Sequence, residues 1–262
     1  MSKRKLFADS RILLTNDDGI DAPGIKLLEE LVRELTDDVW IVAPDHEKSG
    51  ASHSISLHIP IRLRRTSEKG YAVIGTPTDC VLMAFHEILK DRKPTVVLSG
   101  INSGANLAED VTYSGTIAAA MEGALLGVRS IALSVVRPLD GQANWDGARK
   151  YAPDLLRKLL GTKDWPEASF VNINFPECGA DEISGVRVTR QGRRPPGAFS
   201  IDPRVDNRQV PYYWVKLSYP QGAIQPETDL HAIQEKAVSV TPIQLDFTHT
   251  EWRERLRSVW PD

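Results

Sequence analysis

Short unbroken apolar runs alternate with amphipathic stretches through the first two-thirds of this chain. Ile12-Leu13-Leu14 is stopped by Asn16-Asp17-Asp18-Gly19. Pro23 then suits the first turn of a helix, where its missing N–H is not needed, and Ile25, Leu28, Leu31, Val32 and Leu35 follow at helical spacing. Val39 to Ala43 is a second apolar run, ended by Pro44. Residues 59–64 and 71–74 read as a β-excursion joined by the charged turn Ser67-Glu68-Lys69-Gly70. The same pattern predicts helices over Thr78 to Leu89, Ser114 to Leu126 and Trp145 to Leu160. Strands are predicted at Val96 to Leu98, Ile131 to Val136 and Phe170 to Ile173. Buried-type strands separated by amphipathic helices imply a mostly parallel sheet covered on both faces, an α/β fold.

The pattern changes after about residue 185. Val186 to Thr189 and Tyr212 to Leu217 look like strands, separated by a polar, Pro/Arg-rich stretch from Gln191 to Arg208. A helix near 228–235, a strand from Val238 and a last helix near 249–258 complete the chain. We therefore divide it into a core over 1–185 and a C-terminal extension over 186–262, the latter not an independent domain. Long β-arms without a partner sheet suit pairing with another subunit.

Composition narrows the function. The 262 residues carry a net charge of −3, too balanced for a nucleic-acid or membrane-surface binder. A small anionic substrate is compatible with it. Only Cys80 and Cys178 are present, which gives no disulfide framework and fits a reducing compartment. The basic N-terminus lacks an apolar signal region, and no stretch reaches the length of a membrane span. Together these features predict a cytoplasmic protein.

Ligands of open parallel sheets bind at the carboxyl ends of the strands. Three polar segments fall there: Thr15 to Asp21, Asp45 to Ser54, and Ser99 to Thr112, with the helix start at Ser114 beside the third. Asp17 and Asp18 repel each other, which favours a cation beside them, and hard cations such as Mg²⁺ or Mn²⁺ prefer oxygen ligands. Asn16-Asp17-Asp18-Gly19 also reads as an ordinary turn that caps the next helix. Ser49 can be a metal ligand, a substrate donor or a solvated loop serine. His46 and His53 lack the spaced partners of a zinc site. Gly100 and Gly104 permit backbone conformations that aim N–H groups at an anion, and Asn102 and Asn106 add neutral oxygen ligands or donors. Ser114-Gly115-Thr116 opens a helix, a place for both an N-cap and a phosphate. Phosphate-loop, dinucleotide and serine-hydrolase signatures are absent from the sequence.

Five ordered motifs carry a resemblance. They are Leu13-Leu-Thr-Asn-Asp-Asp-Gly-Ile-Asp-Ala-Pro-Gly, Ala43-Pro-Asp-x4-Ser-Gly, Gly75-Thr-Pro-Thr-Asp-Cys, Ser99-Gly-Ile-Asn-Ser-Gly-Ala-Asn and Tyr113-Ser-Gly-Thr. Together they resemble the SurE family of survival-protein 5′-nucleotidases, as do Glu227-Thr-Asp-Leu and Val238-Ser-Val-Thr-Pro. The resemblance implies a Rossmann-like three-layer core and a divalent-metal-dependent phosphatase acting on nucleoside 5′-monophosphates. It implies one Mg²⁺ or Mn²⁺ per subunit, held by Asp17, Asp18, Ser49 and Asn102. It further implies a homodimer or homotetramer that exchanges C-terminal arms. For the substrate we expect Ser103, Gly104, Asn106, Ser114, Gly115 and Thr116, with 3′-nucleotides and short polyphosphate as further candidate substrates.

Two other readings stay open at this level. One is a phosphatase in which Asp17 attacks phosphorus and forms an aspartyl-phosphate. The other is a non-catalytic oligomer that senses metal and nucleotide. The catalytic group itself is not named by the sequence; a metal-activated water is the expected nucleophile.

Overall fold

The computed structural model describes residues 7–138, 141–197, 199–218 and 222–260. Its first half runs β1 (Ile12–Thr15), α1 (Pro23–Val32), β2 (Val39–Pro44), β3 (Arg62–Ser67), β4 (Gly70–Ile74), α2 (Pro77–Met83) and β5 (Val96–Ser103). Then follow α3 (Gly115–Leu125), β6 (Arg129–Val135), α4 (Asp146–Leu160), β7 (Ser169–Phe175) and β8 (Val186–Val188). The chain ends with β9 (Phe199–Val205), β10 (Pro211–Leu217), α5 (Asp229–Gln234), β11 (Val238–Gln244) and α6 (Thr250–Arg257).

Nine strands form one sheet in the order β3-β4-β2-β1-β5-β6-β7-β11-β8. The central six, β4 to β7, are parallel throughout. Helices cover both faces. Leu28 and Leu31 of α1 pack with Leu155 and Leu156 of α4 on one side, against Ile12, Leu14 and Leu98. Cys80, Val81 and Phe85 fill the other side with Leu13, Val97 and Ala119 of α3. All four residues of β1 are buried, as expected for a strand in the middle of a three-layer α/β sandwich. Among the described residues no helix is long and apolar enough to cross a membrane.

Strand order places the site. After β1 the chain moves outward to β2 and β4, then crosses by α2 to β5 on the opposite flank of β1. The loops after β1 and β5 therefore leave the sheet in opposite directions and open a crevice between them. A capping box fixes the crossing helix: Asp79 N–H donates to Thr76 Oγ1 at 3.1 Å, and Thr76 N–H to Asp79 Oδ2 at 2.8 Å.

Most predicted elements are present, with three differences. Helix α1 stops at Val32, and Leu35 is buried from the turn beyond it. The helix expected over 78–89 is α-helical only to Met83 and widens into a π turn over Ala84–Ile88. The polar stretch Gln191–Arg208 contains a strand, β9, which pairs antiparallel with β10 from Phe199↔Leu217 to Val205↔Pro211. In the C-terminal region, β11 lies antiparallel to β7 and parallel to β8, and so continues the main sheet. The β9–β10 hairpin is a separate two-stranded sheet with every residue of β10 exposed.

Close packing of α1 on β5 gives a stability test. A Cβ on Gly24 would lie 1.8 Å from the Ile101 carbonyl oxygen, a backbone atom that cannot swing aside. Gly24→Ala is expected to destabilise the fold by about 1–3 kcal/mol, as overpacking does. Urea unfolding followed by circular dichroism measures this, and an unchanged midpoint would contradict the packing described.

Candidate active site

The turn after β1 is built from buried polar groups. Asn16 is fully buried and its side-chain amide donates to the Gly19 carbonyl at 2.8 Å. Gly19 takes a φ of +101°, which favours glycine. The second loop is tied to this turn, since Lys48 N–H donates to the Asp17 carbonyl at 2.8 Å.

Asp17 is 4% exposed and lies under the start of α3. The Thr116 hydroxyl donates to its Oδ1. Gly115 allows that approach, because a Cβ there would sit 2.8 Å from Asp17 Cβ. Burial raises the Asp17 pKa from 3.8 to about 6; the Thr116 hydrogen bond opposes the rise and the Asp18 charge adds to it. Burial also raises the pKa of Asp18. There the Ser103 N–H, donating to Oδ2 at 3.0 Å, opposes the shift; Glu47 adds to it and Arg137 counters it.

A bulge in β5 delivers the third loop. Ser99 is in register with Ala132 and Asn102 with Ser134, so β5 holds one extra residue in this interval. Gly100 sits in the bulge with φ +131°, and a Cβ there would meet the Leu133 carbonyl at 2.2 Å. Beyond it, Asn102 and Ser103 face the crevice. The Asn102 amide nitrogen donates to the Gly104 carbonyl at 2.8 Å. Its oxygen accepts no hydrogen bond among the described residues and is the end that could meet a cation. Ser49 donates to Glu47 Oε1 at 2.7 Å from an exposed loop.

Asp17, Asp18, Ser49 and Asn102 all line one cleft of about 520 Å³. A buried carboxylate and a half-buried one, with two neutral oxygen donors, fit a hard divalent cation, which would offset the burial that holds both pKa values up. Among the described residues no cluster of three or more His, Cys, Asp or Glu is disposed to hold a metal. A cation here would draw on the neutral oxygens as well as the carboxylates. His46 pairs with Asp45 at 3.2 Å and His53 with Glu122 at 2.9 Å, and neither lines the cleft. Cys80 is fully buried, with its thiol pKa pushed up by that burial, so it is core and unreactive.

The six residues expected to meet substrate divide. Ser103, Asn106 and Ser114 line the cleft; Gly104, Gly115 and Thr116 do not. Asn106 is also engaged inward: its side-chain amide donates to Ser134 Oγ, and its N–H to Asn174 Oδ1, both at 2.8 Å. Ser114 caps α3 by accepting from Ile117 N–H at 3.1 Å. Sequence reasoning missed Glu47, Asp110, Tyr113, Arg137, Phe199 and Leu217. Arg137 left a usable signal, since it directly follows a parallel strand, as the other three loops do. Phe199 and Leu217 left none, because they reach the cleft through the hairpin, where Phe199 meets Tyr113 edge-to-face at 5.1 Å.

A cation bound in this cleft would compete with the proton for Asp17. Its folded pKa is about 6 against 3.8 unfolded, so the folded state holds the proton more tightly. Stability from this group is full below pH 4 and is lost as pH rises to 6, a change of about 3 kcal/mol. Metal-free Asp17→Asn is therefore expected to melt higher than the parent at pH 8, with the gap closing toward pH 4. Mn²⁺ should raise the parent's melting temperature at pH 8, less at pH 5, and not that of the variant. Scanning calorimetry decides; equal melting temperatures at pH 8 without metal would contradict the burial account.

Comparison with known proteins accords with this geometry. Residues 12–197 match the family described as survival protein SurE. A 5′-nucleotidase SurE of Parvibaculum lavamentivorans is 50% identical over 256 residues, covering 95% of this chain and 90% of that protein. The 5′-nucleotidase SurE of Methylobacterium radiotolerans is 53% identical over 242 residues, covering 91% and 94%. Among solved structures, the SurE protein of Aquifex aeolicus superposes with a TM-score of 0.80 at 38% identity, covering 95% of this chain and 99% of that one. With its two aspartates at the switch point of the sheet and a match over most of its length, this chain belongs to the SurE family.

Proposed function

We propose that this protein is a phosphoric monoester hydrolase, a divalent-metal-dependent 5′-nucleotidase that releases phosphate from nucleoside 5′-monophosphates. The observation that carries this reading is the pair Asp17 and Asp18, converging with Ser49 and Asn102 on one cleft. These four would hold a single Mg²⁺ or Mn²⁺. When bound, the cation supplies a water of lowered pKa and neutralises charge on a phosphoryl oxygen.

The chain's own residues prepare for this. Thr116 and the α3 N-terminus hold Asp17 in place and favour its anionic form. Ser103 N–H does the same for Asp18. Those donors are thus engaged with the aspartates, which leaves the side-chain hydroxyls of Ser103 and Ser114 to orient the phosphoryl group. Aromatic and apolar groups at the rim, Tyr113, Phe199 and Leu217, suit a nucleoside leaving group. Within the same reading, 3′-nucleotides and short polyphosphate are secondary substrates.

The protein works as a homodimer or homotetramer on this account. Ile201, Val205, Trp214 and Val215 of the hairpin are exposed, and α6 buries no residue. Such surfaces suit burial against a second copy.

Phosphate release from AMP and GMP with added Mg²⁺ or Mn²⁺ tests the function. Asp17→Asn and Asp18→Asn should each lower kcat/KM at least about a hundredfold, roughly 3 kcal/mol of barrier, with unchanged circular dichroism. Chelation should abolish the activity reversibly. Full activity in either variant, or in excess chelator, would sink the proposal.

A further inference from the structure

Arg137 is the one cation lining the cleft among its described residues. It stands two residues beyond Val135, which is in register with Ser103. The backbone before it is pinned on both sides: Gly104 N–H donates to the Val135 carbonyl at 3.0 Å, and Val136 N–H to the Phe175 carbonyl at 2.9 Å. Pro138 follows and disfavours a helical conformation at Arg137. The side chain thus leaves a fixed point on the same sheet edge as the aspartates.

No carboxylate among the described residues forms an ion pair with Arg137, although its charge is felt at Asp18. The surroundings are acidic: Asp17, Asp18, Glu47 and Asp110 line the same cleft. Asp110 is neutralised by Arg194 at 3.0 Å, which leaves three carboxylates. A divalent cation offsets two charges and Arg137 the third. Without Arg137 a phosphomonoester dianion would enter a cleft of net negative charge.

We infer that Arg137 is a substrate-binding residue whose guanidinium grips the phosphoryl dianion and selects for doubly charged phosphate. This rests on the phosphatase reading above. A guanidinium offers paired N–H donors to two phosphoryl oxygens at once, which an ammonium cannot do. Its donors, unpaired with any carboxylate among the described residues, and its place on the cleft wall suit that contact. The alternative role, acting only through Asp18, would change metal binding first.

Arg137→Ala and Arg137→Lys test it, with the parent alongside. Binding of inorganic phosphate to the Mn²⁺-loaded protein is measured by calorimetry, and Mn²⁺ affinity separately without phosphate. The inference expects phosphate affinity to fall at least about tenfold in Arg137→Ala, with an intermediate loss in Arg137→Lys. Mn²⁺ affinity should change less than about twofold. For 5′-nucleotide turnover, kcat/KM should fall with phosphate affinity. Unchanged phosphate binding would overturn the inference, and so would a loss of Mn²⁺ affinity equal to that of phosphate. Phosphate binding can be read without turnover. A parent that binds phosphate but hydrolyses no nucleotide would count against the nucleotidase reading and not against Arg137.

Discussion

Asp17 places a carboxylate under the first turn of α3, almost out of water, with a second carboxylate next to it in the chain. Burying an anion is unfavourable unless something compensates. The Thr116 hydroxyl and the helix N-terminus compensate in part, and the pKa stays raised, at about 6, by burial with a smaller push from Asp18. That remaining rise is what a bound cation would offset under the proposed function. It also sets demands on the surroundings: glycine at 115 so that α3 can approach, and a second loop held to the Asp17 carbonyl by Lys48.

The sheet meets these demands by topology. β1 lies between strands reached in opposite directions, so its loop and that of β5 diverge and leave room above the strand ends. The bulge at Gly100 turns the end of β5 so that Asn102 and Ser103 reach that room. Ser103 then serves twice, with its amide on Asp18 and its hydroxyl on the cleft wall. Rigid strands thereby set where Asp17, Asp18 and Asn102 stand, while the more exposed loop of Ser49 lines the cleft from one side.

Much of this was legible in the chain because burial on both faces of a parallel sheet writes continuous apolar runs. Ile12 to Leu14, Val96 to Leu98 and Phe170 to Ile173 are such runs, and the polar segments after them mark the functional edge. The strand β9 was hidden because Phe199-Ser-Ile-Asp-Pro-Arg-Val mixes charge and proline into an exposed hairpin, where no core enforces a pattern. The roles of Thr116 and Gly115 were hidden for a different reason. A helix start looks the same in sequence whether its donors face a substrate or a buried neighbour, and only the 99-residue separation closed by the fold tells them apart. Arg137 was overlooked although it follows its strand as the other three loops follow theirs, because a lone arginine forms no motif.

The central claim is that Asp17, Asp18, Ser49 and Asn102 hold one divalent cation. Crystals grown with Mn²⁺ and measured at a wavelength that excites manganese locate the ion directly. The account predicts one anomalous peak per chain in this cleft, with oxygens of these four residues at about 2.0–2.5 Å. A peak seated instead on His46 or His53, or a cleft without manganese at millimolar concentration, would contradict it.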